Sequence, residues 1–330
     1  MPIQGADIFF SALQQRVEIL DQSQLQNPRS VSLLISSTKR YLAKPEYRIQ
    51  LDDLVSQECG HLIAELNEDS FPLNGPWNQD VYLKRVQQYE DLAEPLAKMA
   101  GIMGRWGDGS DLSLMLDLLE TLYKKAEGTR SGLTVYLDIR TYPAVLAFTA
   151  YGLGLTRSQR WATLHELFCA LWTTDRRDPQ RLVSLLFLQG WKGDNKELWQ
   201  LLEGLKNRKT PLSDHLLEVM SAWGSSFTGV STDIAYTFDK FEALASLSYF
   251  EQNDASSLEQ SAQSNDPRIF ASMPMGRLGW HESSYSRITH ELKNSAIAGP
   301  LLNAGFANGN PRILELFILN LERFHSRMSW

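Results

Sequence analysis

Apolar residues recur along this chain every three or four positions, the interval that places side chains on one face of an α-helix. Ile8, Phe9, Leu13, Val17 and Leu20 form the first such stripe, which stops before Asn27-Pro28 because proline disfavours helix in the residue ahead of it. Val31, Leu34, Ile35, Tyr41 and Leu42 carry a second stripe to Lys44-Pro45, and Leu51, Leu54, Val55, Leu62, Ile63 and Leu66 a third. Residues 67–78, with Phe71, Pro72, Gly75, Pro76 and Trp77, predict an ordered connection pinned by buried aromatics. A long helix follows through Val81, Val86, Tyr89, Leu92, Leu96 and Met99, with a kink expected at Pro95. Asp111 is the expected N-cap of the next helix, whose apolar face holds Leu112, Met115, Leu119 and Leu122.

Residues 134–139 are rich in β-branched and aromatic side chains, but Pro143 at a first helical turn, ahead of Ala144, Val145, Leu146, Phe148 and Ala150, favours helix throughout. Trp161, Leu164, Leu167, Phe168 and Leu171 predict a helix that buries Trp161 and Phe168 together. Asp178-Pro179 is expected to cap a helix burying Leu182, Leu185, Leu186 and Leu188. Two helices broken at Thr210-Pro211 carry Leu198, Leu201, Leu202 and Leu205, then Leu216, Val219, Met220 and Trp223. An aromatic-rich helix spans Phe238 to Phe250, the polar stretch 252–267 predicts a mobile linker or surface excursion, and a terminal helix has Pro311 near its first position. No repeat period emerges, which excludes a regular solenoid. The fold class expected is all-α. A chain of 330 residues exceeds the ~250–300 at which single cores stop growing, so the expectation is a multi-helical array or two packed subdomains, 1–128 and 129–330.

Charge and cysteine content narrow the function classes. With 32 Lys and Arg against 39 Asp and Glu, the net charge is −7, opposite to what drives duplex binding. The basic pair Arg176-Arg177 is flanked by Asp175 and Asp178 and reads as a solvated helix start. Two cysteines, Cys59 and Cys169, make no disulfide framework and fit a reducing compartment. The amino terminus does not have the pattern of a secretory signal, and no apolar run reaches ~20 residues. A cytoplasmic protein without a membrane span is expected.

Familiar catalytic motifs are missing. The chain has no GxxxxGK[ST], no GxGxxG after a strand, no HExxH, GxSxG or CxxC, and its histidines are scattered. The acidic loop 107–111 falls short of a calcium-binding loop. Cys169 and His165 share a helix face at i, i+4, the one local nucleophile–base pairing besides Cys59 and His61. Because Cys169 lies in the apolar run LFCALW, it reads as core packing. Glu90, Asp91 and Glu94 read as a solvated face. No catalytic residue, metal ligand or cofactor is therefore assigned.

Two stretches have further character: RSGLTVYLDIRTYPAVLAFTAYGLGL (130–155), and 273–324, which begins MPMGRLGWHESSYS. Together they resemble the helical carboxy-terminal region of bacterial proteins whose amino-terminal portions are sirtuin-like or TIR-like effector domains, proteins associated with antiphage defence. A YPALL-type helix after an arginine is matched by Arg140, Tyr142, Pro143, Val145 and Leu146. A GRFGW-like turn is matched by Gly276, Arg277, Leu278, Gly279 and Trp280, and a later glycine-phenylalanine step by Gly305 and Phe306. The chain opens in helical sequence with no NAD-binding segment, so the effector's catalysis is not carried over by the resemblance.

The expected function is a non-enzymatic sensor, regulatory or scaffold subunit of a bacterial defence or stress system, acting through a protein partner. That partner is a separately encoded effector or a phage component, and an oligomer is compatible with the pattern. Contact with it is assigned to Arg277, Trp280 and His281, with Arg140 and Tyr142 as further candidates, because arginine and tryptophan are enriched at binding hot spots. The alternatives are an enzyme whose acid and base groups converge from distant helices, and a module that binds a nucleotide or nucleic-acid end by combining these cations with stacking rings.

Overall fold

The computed structural model describes residues 30–128, 131–173, 178–229, 233–264 and 272–328. Of these, 75% are helical and 1% lie in strands, as the apolar periodicity predicts. The stripe Ile8 to Leu20, the pair Arg176-Arg177 and residues 265–267 of the expected linker lie outside the described residues.

The first half is built from α1 (Val31–Leu42), α2 (Arg48–Glu65), α3 (Gln79–Trp106) and α4 (Asp111–Glu127). The short α5 (Thr134–Asp138) and a 3-10 turn lead into α6 (Tyr142–Ser158), which is followed by α7 (Trp161–Cys169). A two-residue antiparallel pair, β1 (Leu171–Trp172) with β2 (Gln180–Arg181), precedes α8 (Leu182–Leu186) and α9 (Lys196–Trp199). The remainder is α10 (Pro211–Trp223), α11 (Ile234–Phe250), α12 (Ala255–Gln263), α13 (Glu282–Lys293), α14 (Ser295–Asn303) and α15 (Pro311–Met328).

Local chemistry sets many of these starts. Asn78, Asp233 and Asp254 accept hydrogen bonds from backbone amides three residues on, satisfying donors that a helix start leaves unpaired. Pro143, Pro211 and Pro311 occupy first-turn positions, where a missing N–H costs nothing.

The centre of the molecule is the crossing of α3 and α6. All of α6 from Tyr142 to Thr156 is buried, as befits a helix apolar on every side. Glycines let the two backbones touch. A Cβ on Gly154 would fall inside the van der Waals shell of the Gly101 carbonyl, and one on Gly104 inside that of the Tyr151 carbonyl. Around this crossing the buried core is continuous from Leu51 of α2 to Phe324 of α15, running through both sides of residue 128.

The helix expected over 134–139 forms, as α5 followed by a 3-10 turn from Ile139, and Pro95 lies inside the continuous α3 as expected. Other local expectations change. Ser110, not Asp111, is the N-cap of α4; Asp111 is its first residue and is 5% exposed. Asp178-Pro179 caps nothing, because β2 intervenes before a helix of only five residues. The stripe Leu198 to Leu205 is helical only over Lys196–Trp199. Within 252–267, residues Ala255–Gln263 are helical and bury Leu258. Phe168 is fully buried, but Trp161 packs only partly against the core and its ring centroid lies 5.2 Å from Lys240 Nζ.

The crossing generates a paired prediction. Gly154→Ala meets backbone, which cannot swing aside, so a loss of about 3 kcal/mol or more is expected, the upper end of overpacking costs. At Gly60 of α2 nothing lies within 4 Å of the place an alanine methyl would take, so Gly60→Ala should gain about 0.5–1 kcal/mol from helix propensity. Urea denaturation of both variants checks this; equal effects would remove the close crossing as a constraint.

Candidate functional site

Three polar clusters and one surface cleft hold the chemistry. The turn that the sequence assigns to partner contact is a 3-10 turn, Arg277–Gly279, just ahead of α13. Its backbone is gripped from two helices: the Arg277 amide donates to Ser213 Oγ of α10 at 2.9 Å, and the Leu278 amide donates to Glu242 Oε2 of α11 at 3.2 Å. The guanidinium turns inward. Nη1 donates to Asp239 Oδ1 at 2.6 Å, Asp214 Oδ1 lies 3.8 Å from Nε, and the His281 ring nitrogens are 3.1 and 3.2 Å from Nη2. Arg277 is 7% exposed, so its charge serves the interior. Trp280 and His281, both half-buried, are the residues of this turn that reach the surface, and Lys209 Nζ sits 3.3 Å from the Trp280 ring centroid.

Glu242 is wholly buried beside this turn, and Ser213 Oγ hydrogen-bonds its Oε1. Burial pushes its carboxyl up to about 8, with the Asp239 charge adding to the rise. Burial also raises Asp239. The His281 imidazole is held below its ordinary value by burial and then by Arg277.

Tyr142 belongs to a second cluster. Its hydroxyl donates to Glu90 Oε1 at 2.9 Å, and His215 Nε2 lies 2.5 Å from the same oxygen. Its ring sits 5.7 Å from that of Trp191 and 5.2 Å from that of Trp199. Tyr142 is therefore core, and Glu90, read from sequence as solvated, is 7% exposed. Arg140 points elsewhere. Its Nη2 donates to the Lys125 carbonyl at 3.4 Å, while its buried Nη1 has no hydrogen-bond partner among the described residues. The structure thus places Arg277 with His281, next to Trp280, and sets Tyr142 and Arg140 in separate surroundings. Residues 213, 214 and 215 of α10 connect the Arg277 and Tyr142 clusters.

The third cluster surrounds Cys169, which is half-buried among polar groups rather than packed in apolar core. His165 Nε2 lies 3.3 Å from Cys169 Sγ and 2.8 Å from Glu251 Oε1, and Sγ is 3.6 Å from that oxygen. Arg181 Nη1 donates to Glu251 Oε1 at 2.9 Å and to the Ser248 carbonyl at 3.1 Å. A nucleophilic triad would place the thiol and the carboxylate on opposite ring nitrogens; here both meet Nε2. Burial moreover pushes the Cys169 thiol up to about 12, so it is not a thiolate at neutral pH.

A cleft of about 240 Å³ opens between α1 and α2 on one side and the α3–α4 junction on the other. Tyr41, Leu51 and Trp106 supply apolar wall, and Trp106 is 44% exposed. Asp52, Asp108, Asp111 and Asp117 face Lys44 and Arg48, an acidic excess of two. Asp111 is taken up by Arg160 at 2.9 Å and by the Tyr151 hydroxyl at 2.8 Å. Hydrogen bonds from Ser110 hold the Asp108 carboxyl below its usual range. Asp52 and Asp117 are exposed and form no ion pair among the described residues.

No known family, curated protein or solved structure matches the chain. Among the described residues no helix is long and apolar enough to cross a membrane.

Sequence reasoning did not find Glu251, Arg160, Asp239 or Glu242. A signal existed for Asp239 and Glu242: they sit at i, i+3 within the apolar run of α11, beside Phe238 and Phe241, where a carboxylate faces the core and needs a partner.

These environments predict a pH dependence. The Glu242 carboxyl binds its proton more tightly in the folded chain than in the unfolded one, so its contribution is full below about 4.5 and is lost as pH rises towards and through about 8. Glu242→Gln keeps an acceptor for Leu278 and offers a donor to Ser213, so denaturant stability measured from about pH 6 to 9 should fall less steeply in the variant. An unchanged slope would show Glu242 charged in the folded state over that range. Arg277→Ala leaves Asp239 buried without its cation and should cost about 3–5 kcal/mol.

Proposed function

We propose that the chain is a non-enzymatic sensor, regulatory or scaffold protein whose cleft beside Trp106 takes a segment of a protein partner carrying Lys or Arg next to apolar side chains. The observation that carries this reading is the cleft's composition: an exposed tryptophan and apolar wall together with Asp52 and Asp117, which form no ion pair among the described residues. A cationic side chain entering there meets two carboxylates without displacing an internal ion pair, and its apolar neighbour covers Trp106. Trp106 already attracts cations, with Arg105 Cζ 4.3 Å and Lys39 Nζ 5.0 Å from its ring.

The partner's class comes from the resemblance of 130–155 and 273–324 to the helical regions that accompany sirtuin-like or TIR-like effectors. It is a separately encoded effector in a bacterial defence or stress system. Trp280 and His281 provide a second surface contact in this reading, with Arg277 acting behind them by fixing the turn.

The test uses the full chain and two synthetic peptides of equal length, one alternating Arg with Leu and one alternating Glu with Leu. The basic peptide should bind, and Trp106→Ala should weaken it by about 2 kcal/mol, a hot-spot magnitude. Asp52→Asn with Asp117→Asn should weaken it and flatten its salt dependence. Equal binding of the acidic peptide, or indifference to all three substitutions, would overturn the cleft as the docking site.

A further inference from the structure

The cluster of His165, Cys169 and Glu251 is supplied by two helices that share one feature: each ends there. Cys169 is the last residue of α7, and Glu251 is the C-cap of α11. The aligned peptide dipoles of a helix leave partial negative charge at its C-terminus, so two ends meeting at one point favour a cation between them. The side chains add donors of three kinds, an imidazole nitrogen, a sulfur and a carboxylate oxygen, all within 4.8 Å of one another.

We propose that His165, Cys169 and Glu251 bind a divalent transition-metal ion of the zinc class, with a fourth position left for water.

The spacing suits such an ion. With bonds of about 2.0–2.1 Å to nitrogen or oxygen and about 2.3 Å to sulfur, a tetrahedral centre sets its ligand atoms about 3.3–3.6 Å apart. The three separations here are 2.8, 3.3 and 3.6 Å. Only the contact between His165 and Glu251 has to open, by about half an ångström on that geometry. In the metal-free arrangement it is closed by a hydrogen bond between the two groups.

A second observation points to a ligand. Glu251 has a side chain with no exposure, and its Oε2 has no hydrogen-bond partner among the described residues. An orphaned carboxylate oxygen at such burial carries a penalty; the carboxylate separations above are those of Oε1, and an ion held by both carboxylate oxygens would remove the penalty on Oε2.

The surroundings hold the donors in place. Arg181 fixes Oε1, and the Asn308 amide donates to the Glu251 backbone carbonyl at 3.0 Å. Gly305 presses against the imidazole, since a Cβ there would lie 2.6 Å from His165 Nδ1. Solvent reaches the cluster from the side of His165 and Arg181, whose side chains are 16% and 22% exposed. That is the side on which the fourth ligand would sit. Mixed nitrogen, sulfur and oxygen donors in a four-coordinate frame favour zinc or cobalt over calcium or magnesium, which take oxygen in higher coordination. A thiolate is the ligand form of cysteine, so binding releases the proton on Cys169 and affinity should weaken as pH falls.

The competing structure is an internal ion pair of Arg181, His165 and Glu251 with Cys169 beside it by chance. Titration of the full, reduced, metal-free chain with cobalt(II) separates the two. One equivalent should bind with the near-ultraviolet charge-transfer band of a thiolate ligand and the intense visible bands of a four-coordinate ion, and zinc should displace it. Cys169→Ser, a small change at a half-buried position, should abolish the thiolate band while the far-ultraviolet spectrum stays helical. Cys59→Ser should keep the band. Glu251→Gln should lower affinity more than the roughly 10–100-fold typical of residues that merely support a ligand. Saturating cobalt without a thiolate band, or a band unchanged in Cys169→Ser, would overturn the proposal.

Discussion

The backbone contact between α3 and α6 is the constraint on which the other packing depends. Helix axes normally stay about 8–10 Å apart because side chains intervene. Here Gly104 faces the Tyr151 carbonyl and Gly154 faces the Gly101 carbonyl, so that spacer is missing. The neighbouring glycines make room for rings: a Cβ on Gly101 would strike Phe227, and one on Gly152 would strike Phe241. Phe241 in turn meets Phe148, Phe168 and Phe187 at centroid distances of 5.9, 5.6 and 6.0 Å. The crossing thereby places α11, and with it Asp239, Glu242 and Glu251, against the centre of the molecule. Arg160 ties the arrangement off, donating to the Met103 and Gly104 carbonyls at the end of α3 as well as to Asp111.

The buried polar groups act as locks between elements that apolar packing alone would leave free to slide. Residues 213–215 of α10 illustrate this. Ser213 meets Glu242 and the Arg277 amide, Asp214 lies near the Arg277 guanidinium, and His215 meets Glu90 of α3. One short stretch therefore holds α3, α11 and the turn before α13 in register. Partners this specific cost desolvation, and they return it as uniqueness only while every member is satisfied. Asp239 Oδ2, Arg277 Nε and Glu251 Oε2 depart from that pattern among the described residues, and the last of them belongs to a carboxylate grouped with an imidazole and a thiol, which is why it bears on ligand binding.

Helices were legible wherever a stripe was long and its start carried its own chemistry. Pro143, Pro211 and Pro311 marked first turns because that signal is local to the backbone. The helices over Lys196–Trp199 and Leu182–Leu186 came out short because their leucines pack from turns and 3-10 segments, which apolar spacing cannot separate from helix. Arg277 was legible as an unusual residue, but its direction was not, since it depends on Asp239, 38 positions away. Cys169 and His165 were legible as a pair at i, i+4, whereas Glu251 is brought to them by tertiary packing. The glycines at 101, 104, 152 and 154 show no pattern that names their partners until the two helices are crossed.

The central claim, that one glycine-mediated crossing unites the helices on both sides of residue 128, makes α3 and α6 a single cooperative unit. Native-state hydrogen exchange read by mass spectrometry tests it most directly, because it resolves the opening free energy of each segment. Residues 96–104 and 144–155 should exchange last, with the same free energy and the same dependence on denaturant. Different opening free energies for the two stretches, or loss of protection over 79–128 in a step separate from 142–328, would contradict the account.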